Sequence, residues 1–336
     1  MLSESSGTDL PSERPASVQE ASTRDIDEQA ALLRGWNQTY DQISAGAFSG
    51  SFLEIQLDRV HLFREVTSNA LYQTGELGRG TIAVGVPLAL AGNATFCGRR
   101  CNGLQLHVFS GADSFEFLSP SGLDIAGFVL DEADLCRALT CDELETVLPS
   151  LRTPHLRPAS GLATGQMRAI FADICEVLVQ SPGAAHDKAR VASMSRDVIA
   201  VLAVALAQDL ETPGEGVPPA RSASIVRKAR ALVIEAPEGY TSVEELCAAL
   251  HVSRRALQYA FQDTLGLKPS TYLRAVRMNG ARRAIKHSGS VAEAATLWGF
   301  WHFGRFARDY RAMFGELPSE TFRRCHGVAG KGEPGG

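Results

Sequence analysis

The spacing of hydrophobic residues changes period along this chain, and each change predicts a new kind of element. Over 26–41 the apolar positions recur at helical spacing, ending in Trp36-Asn37-Gln38-Thr39-Tyr40-Asp41-Gln42. Over 48–130 they alternate: Phe52, Ile55 and Leu57, then Val60, Leu62 and Phe63, then 81–86, 104–109, 114–118 and 123–130 all read as strands. Gly75, Gly80, Pro87, Gly103, Gly111 and Pro120 are among the residues that punctuate them. Many short strands at this spacing predict a small barrel or jelly roll, its interior either filled by side chains or enclosing a ligand. Helical spacing returns at 131–148, where acids open two segments and favour helix N-termini. Past the proline-bearing stretch 149–158, two longer amphipathic helices are predicted at 160–181 and 186–210, carrying Met167, Phe171, Ile174 and Leu178, then Val191, Val198, Leu202 and Leu206. They either pack on the barrel or form a dimer face.

The stretch 222–324 repeats one grammar twice. At 243–264, Ser242 and Glu245 form a capping box, Val243, Leu246, Cys247 and Leu250 share one face, and Ser253 is placed to cap a second helix. In that second helix Leu257 and Phe261 turn inward, which leaves Arg254, Arg255, Gln258 and Tyr259 facing out, and these four with Ser253 are the expected DNA-binding residues of the first unit. At 290–313, Val291, Ala294, Ala295 and Trp298 mark a scaffold helix and Gly299 the turn. Phe306 and Tyr310 then point inward, with His302, Arg305 and Arg308 outward. A short helix, a break and a second helix with a polar face is the pattern of a helix-turn-helix, whose second helix enters the major groove of DNA. Arg suits guanine edges and phosphates, Gln suits adenine, and Tyr donates to phosphate. Phe303 and Gly304 stand where a groove-reading helix carries polar groups, so weaker direct readout is expected from the second unit, with Arg305 and Arg308 doing most of the binding. Between the units, Leu273, Val276, Met278, Ala281 and Ile285 predict a connecting helix of about 17 residues, roughly 25 Å long. Gly280 inside it costs ~1 kcal/mol against Ala, which close packing there would offset.

Charge sharpens the division. The chain is acidic overall (net −5), yet 221–326 holds 17 Lys and Arg against 9 Asp and Glu, while 1–220 holds 15 against 28. A basic C-terminal module is the electrostatic footprint of phosphate binding. No apolar run reaches the ~18 residues of a membrane span, and the N-terminus has no signal-peptide core. The seven cysteines are scattered, with Cys97 and Cys101 the one close pair, so they are expected to be structural or core thiols in a reducing cytoplasm. The strands carry His61 and His107 without a metal-ligand cluster, and no Gly-x-Ser-x-Gly, P-loop or dinucleotide fingerprint occurs, which argues against catalysis. Composition predicts disorder at 1–25 and 327–336 and a linker at 211–221.

Ser253-Arg254-Arg255-x-Leu257-Gln258-x-x-Phe261, Gly266-x-x-Pro269-x-x-Tyr272-Leu273-x-x-x-Arg277 and Gly299-Phe300…Phe306-x-Arg308…Phe314-Gly315-x-x-Pro318-Ser319 resemble the DNA-binding domain of AraC/XylS-type transcription regulators. The resemblance covers 222–324 and implies seven helices with two helix-turn-helix units. A narrower likeness joins Trp36-x-x-x-Tyr40-Asp41-Gln42, Phe48-x-Gly50-x-Phe52-x-Glu54-Ile55, Phe63-Arg64-Glu65-x-Thr67 and Gly299-Phe300-Trp301-His302 to the ethanolamine-utilisation operon regulator branch. That likeness implies ethanolamine with adenosylcobalamin as effector, although no Asp-x-His-x-x-Gly cobalamin signature is present.

The expectation is therefore an α+β chain. A β-rich, cupin- or jelly-roll-like sensor domain with flanking helices spans 26–210, and an all-α double helix-turn-helix domain spans 222–326. The expected function is an effector-dependent, cytoplasmic transcription activator of a catabolic operon. Its partners would be double-stranded promoter DNA, RNA polymerase, a small-molecule effector and a second copy of itself, with no metal and no obligatory cofactor. A regulator whose β domain only dimerises, or a cupin-type enzyme fused to a DNA anchor, are the alternatives.

Overall fold

Alternating side chains build two antiparallel sheets that pack face to face. The computed structural model describes residues 15–92, 94–208, 220–237, 239–240 and 242–327. Its first part runs β1 (Ser17–Thr23), α1 (Ile26–Leu32), β2 (Trp36–Gln42), β3 (Gly50–Gln56), β4 (Val60–Thr67), β5 (Leu71–Leu77), β6 (Thr81–Ala89), β7 (Ala94–Phe96), β8 (Arg99–Cys101), β9 (Gln105–Ser110), β10 (Phe115–Ser119) and β11 (Leu123–Asp131). There follow α2 (Glu132–Ala138), α3 (Cys141–Ser150), β12 (His155–Pro158), α4 (Gly161–Gln180) and α5 (Lys188–Ala207). One sheet has the order β1-β3-β4-β11-β6-β9-β12 and the other β2-β5-β10-β7-β8.

The period of two sorts the larger sheet's side chains into two cores. Leu62, Val84, Val108 and Phe128 face the helices and join Met167, Phe171, Val198 and Leu202 of α4 and α5 in one buried cluster. Phe63, Ala83, Phe109 and Ile125 face the second sheet and meet Phe96, Phe115 and Phe117. Each fully buried Leu or Phe contributes about 1.5–3 kcal/mol by area. The long helix pair thus packs on the sheet, and Arg168 fastens it by donating to the carbonyls of Pro87 (2.6 Å) and Gly103 (2.9 Å).

The second part is helical: α6 (Ala220–Glu235), α7 (Val243–Ala249), α8 (Arg254–Leu265), α9 (Pro269–Ile285), α10 (Val291–Leu297), α11 (Phe303–Phe314) and α12 (Pro318–His326). Both parts meet on α9 and on Arg230 of α6. Asp25 pairs with Arg282 (3.2 Å) and Lys286 (2.7 Å), Asp27 with Arg283 (2.9 Å) and Lys286 (2.6 Å), and Asp41 with Arg283 (2.7 Å) and Arg230 (3.1 Å). Arg282 is only 3 % exposed. Burial alone would raise the Asp25 carboxyl, yet Arg282 and Lys286 hold it below its usual value.

Several expectations are corrected. Within 1–25, residues 17–23 are strand β1, paired with β3 from Ser17↔Gln56 to Thr23↔Gly50, and Asp25 caps α1. Backbone pairing along an exposed edge needs few apolar side chains, so composition misses it; residues 1–14 lie outside the described residues. The helix read over 26–41 stops at Leu32. Gly35 (φ +78°) reverses the chain, and Trp36–Gln42 pairs with β5 instead, where cross-strand partners override a helical spacing. Of the linker 211–221, residues 211–219 lie outside the described residues and 220–221 already belong to α6; of the tail, 328–336 lie outside them. Strands β5, β7, β8 and β12 are additional to the reading. All seven cysteines are free thiols, and Cys141 and Cys325 are exposed rather than in the core. Among the described residues no helix is long and apolar enough to cross a membrane.

Candidate nucleic-acid interface

Both helix-turn-helix units form as the caps dictate. In the first, Glu245 Oε2 accepts from the Ser242 backbone N–H (2.8 Å) while Ser242 Oγ accepts from the Glu245 N–H (3.2 Å). His251, with φ +52°, makes the turn, and Ser253 Oγ accepts from the Ala256 N–H (3.1 Å) to start α8. Ser253 therefore serves the helix start. Leu257, Ala260, Phe261 and Leu265 are buried, and Arg254, Arg255, Gln258 and Tyr259 are exposed as expected, Tyr259 to 62 %. Arg254 lies 2.7 Å from Glu244 in an exposed ion pair. An open groove of about 620 Å³ runs along α8, walled by Arg254, Arg255, Gln258, Tyr259, Gln262 and Lys268.

In the second unit Ser290 caps α10, Gly299 (φ +72°) makes the turn, and Phe306, Tyr310 and Phe314 are buried. His302 occupies the N-cap of α11 without a side-chain cap bond; Arg305 and Arg308 are exposed. Asp309, which lies within 3.6 Å of Arg305 and 2.5 Å of Arg274, draws Arg305 toward the strut.

Helix α9 is the predicted strut, 17 residues long. Gly280 explains its own presence: a Cβ there would lie 2.2 Å from the Trp298 ring, so glycine admits the indole between strut and scaffold helix. Arg277, which had been a motif residue without a role, donates to the carbonyls of Trp298 (2.9 Å) and Gly299 (2.8 Å) and lies over the Phe300 ring at 4.7 Å. It fixes the second turn to the strut. Between the two units opens a groove of about 490 Å³, walled by Val243, Glu244, Arg274, Trp301, His302 and Arg305.

Gln262 and Arg311 extend the outward faces of α8 and α11 and are exposed. Sequence reasoning missed both, although each lies four residues beyond a chosen outward residue or fewer. The strut's cations went the other way. Arg282, Arg283 and Lys286 contribute to the basic balance of 221–326, but they bind Asp25 at the N-cap of α1, Asp27 and Asp41 rather than facing outward with the readers.

The matches to known proteins fall on this region. Residues 246–324 match the helix-turn-helix domain family model. The chain is 43 % identical over 86 residues to the probable thc operon regulatory protein of Rhodococcus erythropolis, covering 24 % of this chain and 26 % of that protein. It is 38 % identical over 88 residues to the XylDLEGF operon transcriptional activator of Pseudomonas putida, covering 25 % and 27 %. The matched part thus spans about a quarter of the length of these curated relatives. Among solved structures, the AraC-like transcriptional activator CuxR aligns over 84 % of this chain and 100 % of its own, at 14 % identity and TM-score 0.41. Residues 246–324 are thus similar to a helix-turn-helix domain, and the relatives named here, which share this region, are regulators of transcription.

Proposed function

We propose that the whole chain is an effector-responsive transcription regulator of the cytoplasm, which lays α8 and α11 in successive major grooves of promoter DNA. The observation that carries this reading is the pair of outward polar faces fixed to one buried strut. A strut of ~25 Å with a reader at each end suits grooves ~34–36 Å apart. Activation through RNA polymerase, self-association and control of a catabolic operon belong to the same proposal, the last supported by the names of the thc and XylDLEGF regulators.

The effector site we assign to a cavity of about 40 Å³ between the two sheets. Trp36, Phe63, Phe109 and Phe115 wall it, with Trp36 edge-on to the three phenyl rings at 5.4–5.8 Å. Buried polar side chains also line it. Glu65 accepts from Gln29 (3.1 Å) and Tyr40 (3.0 Å), and burial lifts its carboxyl to about 7. His107, stacked on Phe96, is pushed down to about 3 by burial, so it is neutral. Among the described residues His107 Nε2 and Gln73 Nε2 have no hydrogen-bond partner. No Lys or Arg among the described residues lines the cavity, so it disfavours an anion. Ethanolamine is the first effector to test. A cavity of this size takes a molecule of a few heavy atoms, so adenosylcobalamin would have to act elsewhere on the chain.

Two measurements on the full chain test the reading. Selection from a random duplex library should return a defined site whose affinity falls steeply with salt, as counterion release requires. Ethanolamine, alone and with adenosylcobalamin, is then screened beside neutral and anionic molecules of equal size. An effector at a hundred times its dissociation constant adds ~2.7 kcal/mol, a thermal shift of several degrees. Absence of salt-dependent DNA binding sinks the proposal; binding without any effector shift reduces it to a constitutive regulator.

A further inference from the structure

The two reading helices correspond residue for residue. Leu257, Phe261, Leu265, Gly266 and Pro269 of the first match Phe306, Tyr310, Phe314, Gly315 and Pro318 of the second, each 49 positions on. The buried members agree in burial, and both glycines cap their helices in the left-handed conformation, Gly266 at φ +67° and Gly315 at φ +76°. At the same offset, Arg254 and Arg255 correspond to Phe303 and Gly304. Where the first reader presents two guanidinium groups, the second presents a phenyl ring and a residue with no side chain.

Neither replacement has an explanation among the described residues. Phe303 is 48 % exposed, although it opens a helix whose other phenylalanines are buried. Gly304 has an ordinary helical backbone, and a Cβ built on it would meet nothing within 4 Å. Gly280, by contrast, is required by the Trp298 ring, and Gly299 by its positive φ. A glycine in the first turn of a helix that needs neither space nor a special conformation leaves room for something outside the chain. The ring and the notch lie at the N-terminal end of α11, the end that a helix-turn-helix points at base edges. Arg305, Arg308 and Arg311 follow on the same helix and are exposed, so the surroundings favour a polyanion.

The apolar feature that major-groove base edges offer is the C5-methyl group of thymine. We infer that Phe303, approaching closely because Gly304 carries no side chain, reads thymine methyl groups in the second half of the operator. The inference rests on the DNA-binding reading above and adds its chemistry. The first unit discriminates by hydrogen bonds from Arg255 and Gln258. The second discriminates by apolar contact, and therefore senses a methyl group that carries no hydrogen-bonding information.

The test replaces thymine by deoxyuridine, which deletes the methyl and leaves every base-pairing and groove hydrogen bond in place. The operator half-sites are first defined with the full-length protein by selection from random duplex DNA. Each thymine is then replaced singly, and affinities are measured by fluorescence anisotropy. Loss of one buried methyl should weaken binding about three- to fivefold at one or two positions in the second half-site. The same replacements in the first half-site should have no such effect. Phe303→Ala should bind thymine and deoxyuridine operators equally, and Gly304→Leu should weaken the thymine operator more than the deoxyuridine one. Equal binding of both operators by the unaltered protein overturns the inference while leaving DNA binding intact. A Phe303→Ala chain that keeps its affinity and its thymine preference but no longer activates transcription also overturns it, and assigns the ring to a protein partner. Failure to bind any DNA removes this inference together with the reading it rests on.

Discussion

The side-chain amide of Asn279 closes a two-bond ring on the backbone of Gln42: Oδ1 accepts from the Gln42 N–H at 3.0 Å, and Nδ2 donates to the Gln42 carbonyl at 2.9 Å. Asn279 stands in the middle of the strut, and Gln42 ends β2, the outer strand of the smaller sheet. The amide therefore imitates the next strand on an open edge. Gln42 Nε2 returns the connection by donating to the Met313 carbonyl (2.7 Å) at the end of α11. One residue of the smaller sheet thus touches both the strut and the second reader.

Replacing Asn279 by Leu keeps the volume and removes both partners of Gln42. Each orphaned buried backbone group costs about 1–3 kcal/mol, so the chain should lose several kcal/mol of stability. Denaturant titration of the full chain measures it. A loss below 1 kcal/mol would mean that β2 and α9 separate readily in solution and that the ring contributes little.

The buried carboxyl of Glu65 sets a pH dependence of definite sign. Its proton is held more tightly in the folded chain (about 7) than in the unfolded one (4.5), so its contribution is fully present below about pH 4.5 and is lost as pH rises through 7. The loss amounts to about 3 kcal/mol. Glu65→Gln removes it, so the variant should gain on the parent between about pH 4.5 and pH 7 and level off above that. His107 slopes the opposite way as pH falls below 6.5, but equally in both proteins, and it cancels from the difference. Parallel stability curves would show that Glu65 stays ionised in the folded chain.

What could be read from the sequence followed the range of the interaction that shapes each feature. Both helix-turn-helix units were legible because their capping residues and inward pairs lie within about twenty residues of one another, and so was the packing role of Gly280. Strand β1 and the pairing of β2 were not, because those strands exist through partners far along the chain. The same is true of the Arg282–Asp25 pair, 257 residues apart. Arg283 and Lys286 looked like more phosphate-binding charge; their true partners, Asp27 and Asp41, lie in a segment read as one long helix. Glu65 and His107 looked like ordinary strand residues, since nothing local tells an inward carboxylate from a solvated one.

On the first reader, Arg255 and Arg254 should separate. Arg255→Ala should cost ~1–3 kcal/mol of DNA affinity and erase preference at one or two base pairs, as loss of a bidentate guanine contact does. Arg254 already pairs with Glu244, so its replacement should weaken all sequences about equally. Sequence selection with each variant reads both outcomes. Unchanged preferences in the Arg255 variant would return that residue to a solvated face.

Two glycine-to-alanine changes should have opposite signs. Intrinsic helix propensity favours both by up to ~1 kcal/mol, since alanine orders more cheaply than glycine within a helix. At Gly304 nothing opposes it: a Cβ meets no atom within 4 Å, so Gly304→Ala should stabilise the free protein by a few tenths to ~1 kcal/mol. At Gly280 the Cβ would lie 2.2 Å from the Trp298 ring, and overpacking of this kind costs about 1–3 kcal/mol or more. Trp298 cannot retreat without disturbing the turn that Arg277 holds, so Gly280→Ala should destabilise the chain and loosen the second unit against the strut. Thermal denaturation gives the two signs, and Trp298 fluorescence in a Trp36→Phe, Trp301→Phe background reports whether the indole has moved. A stabilised Gly280→Ala protein with unchanged emission would mean that the indole does not rest on the strut, and that the two readers are not held at a fixed separation.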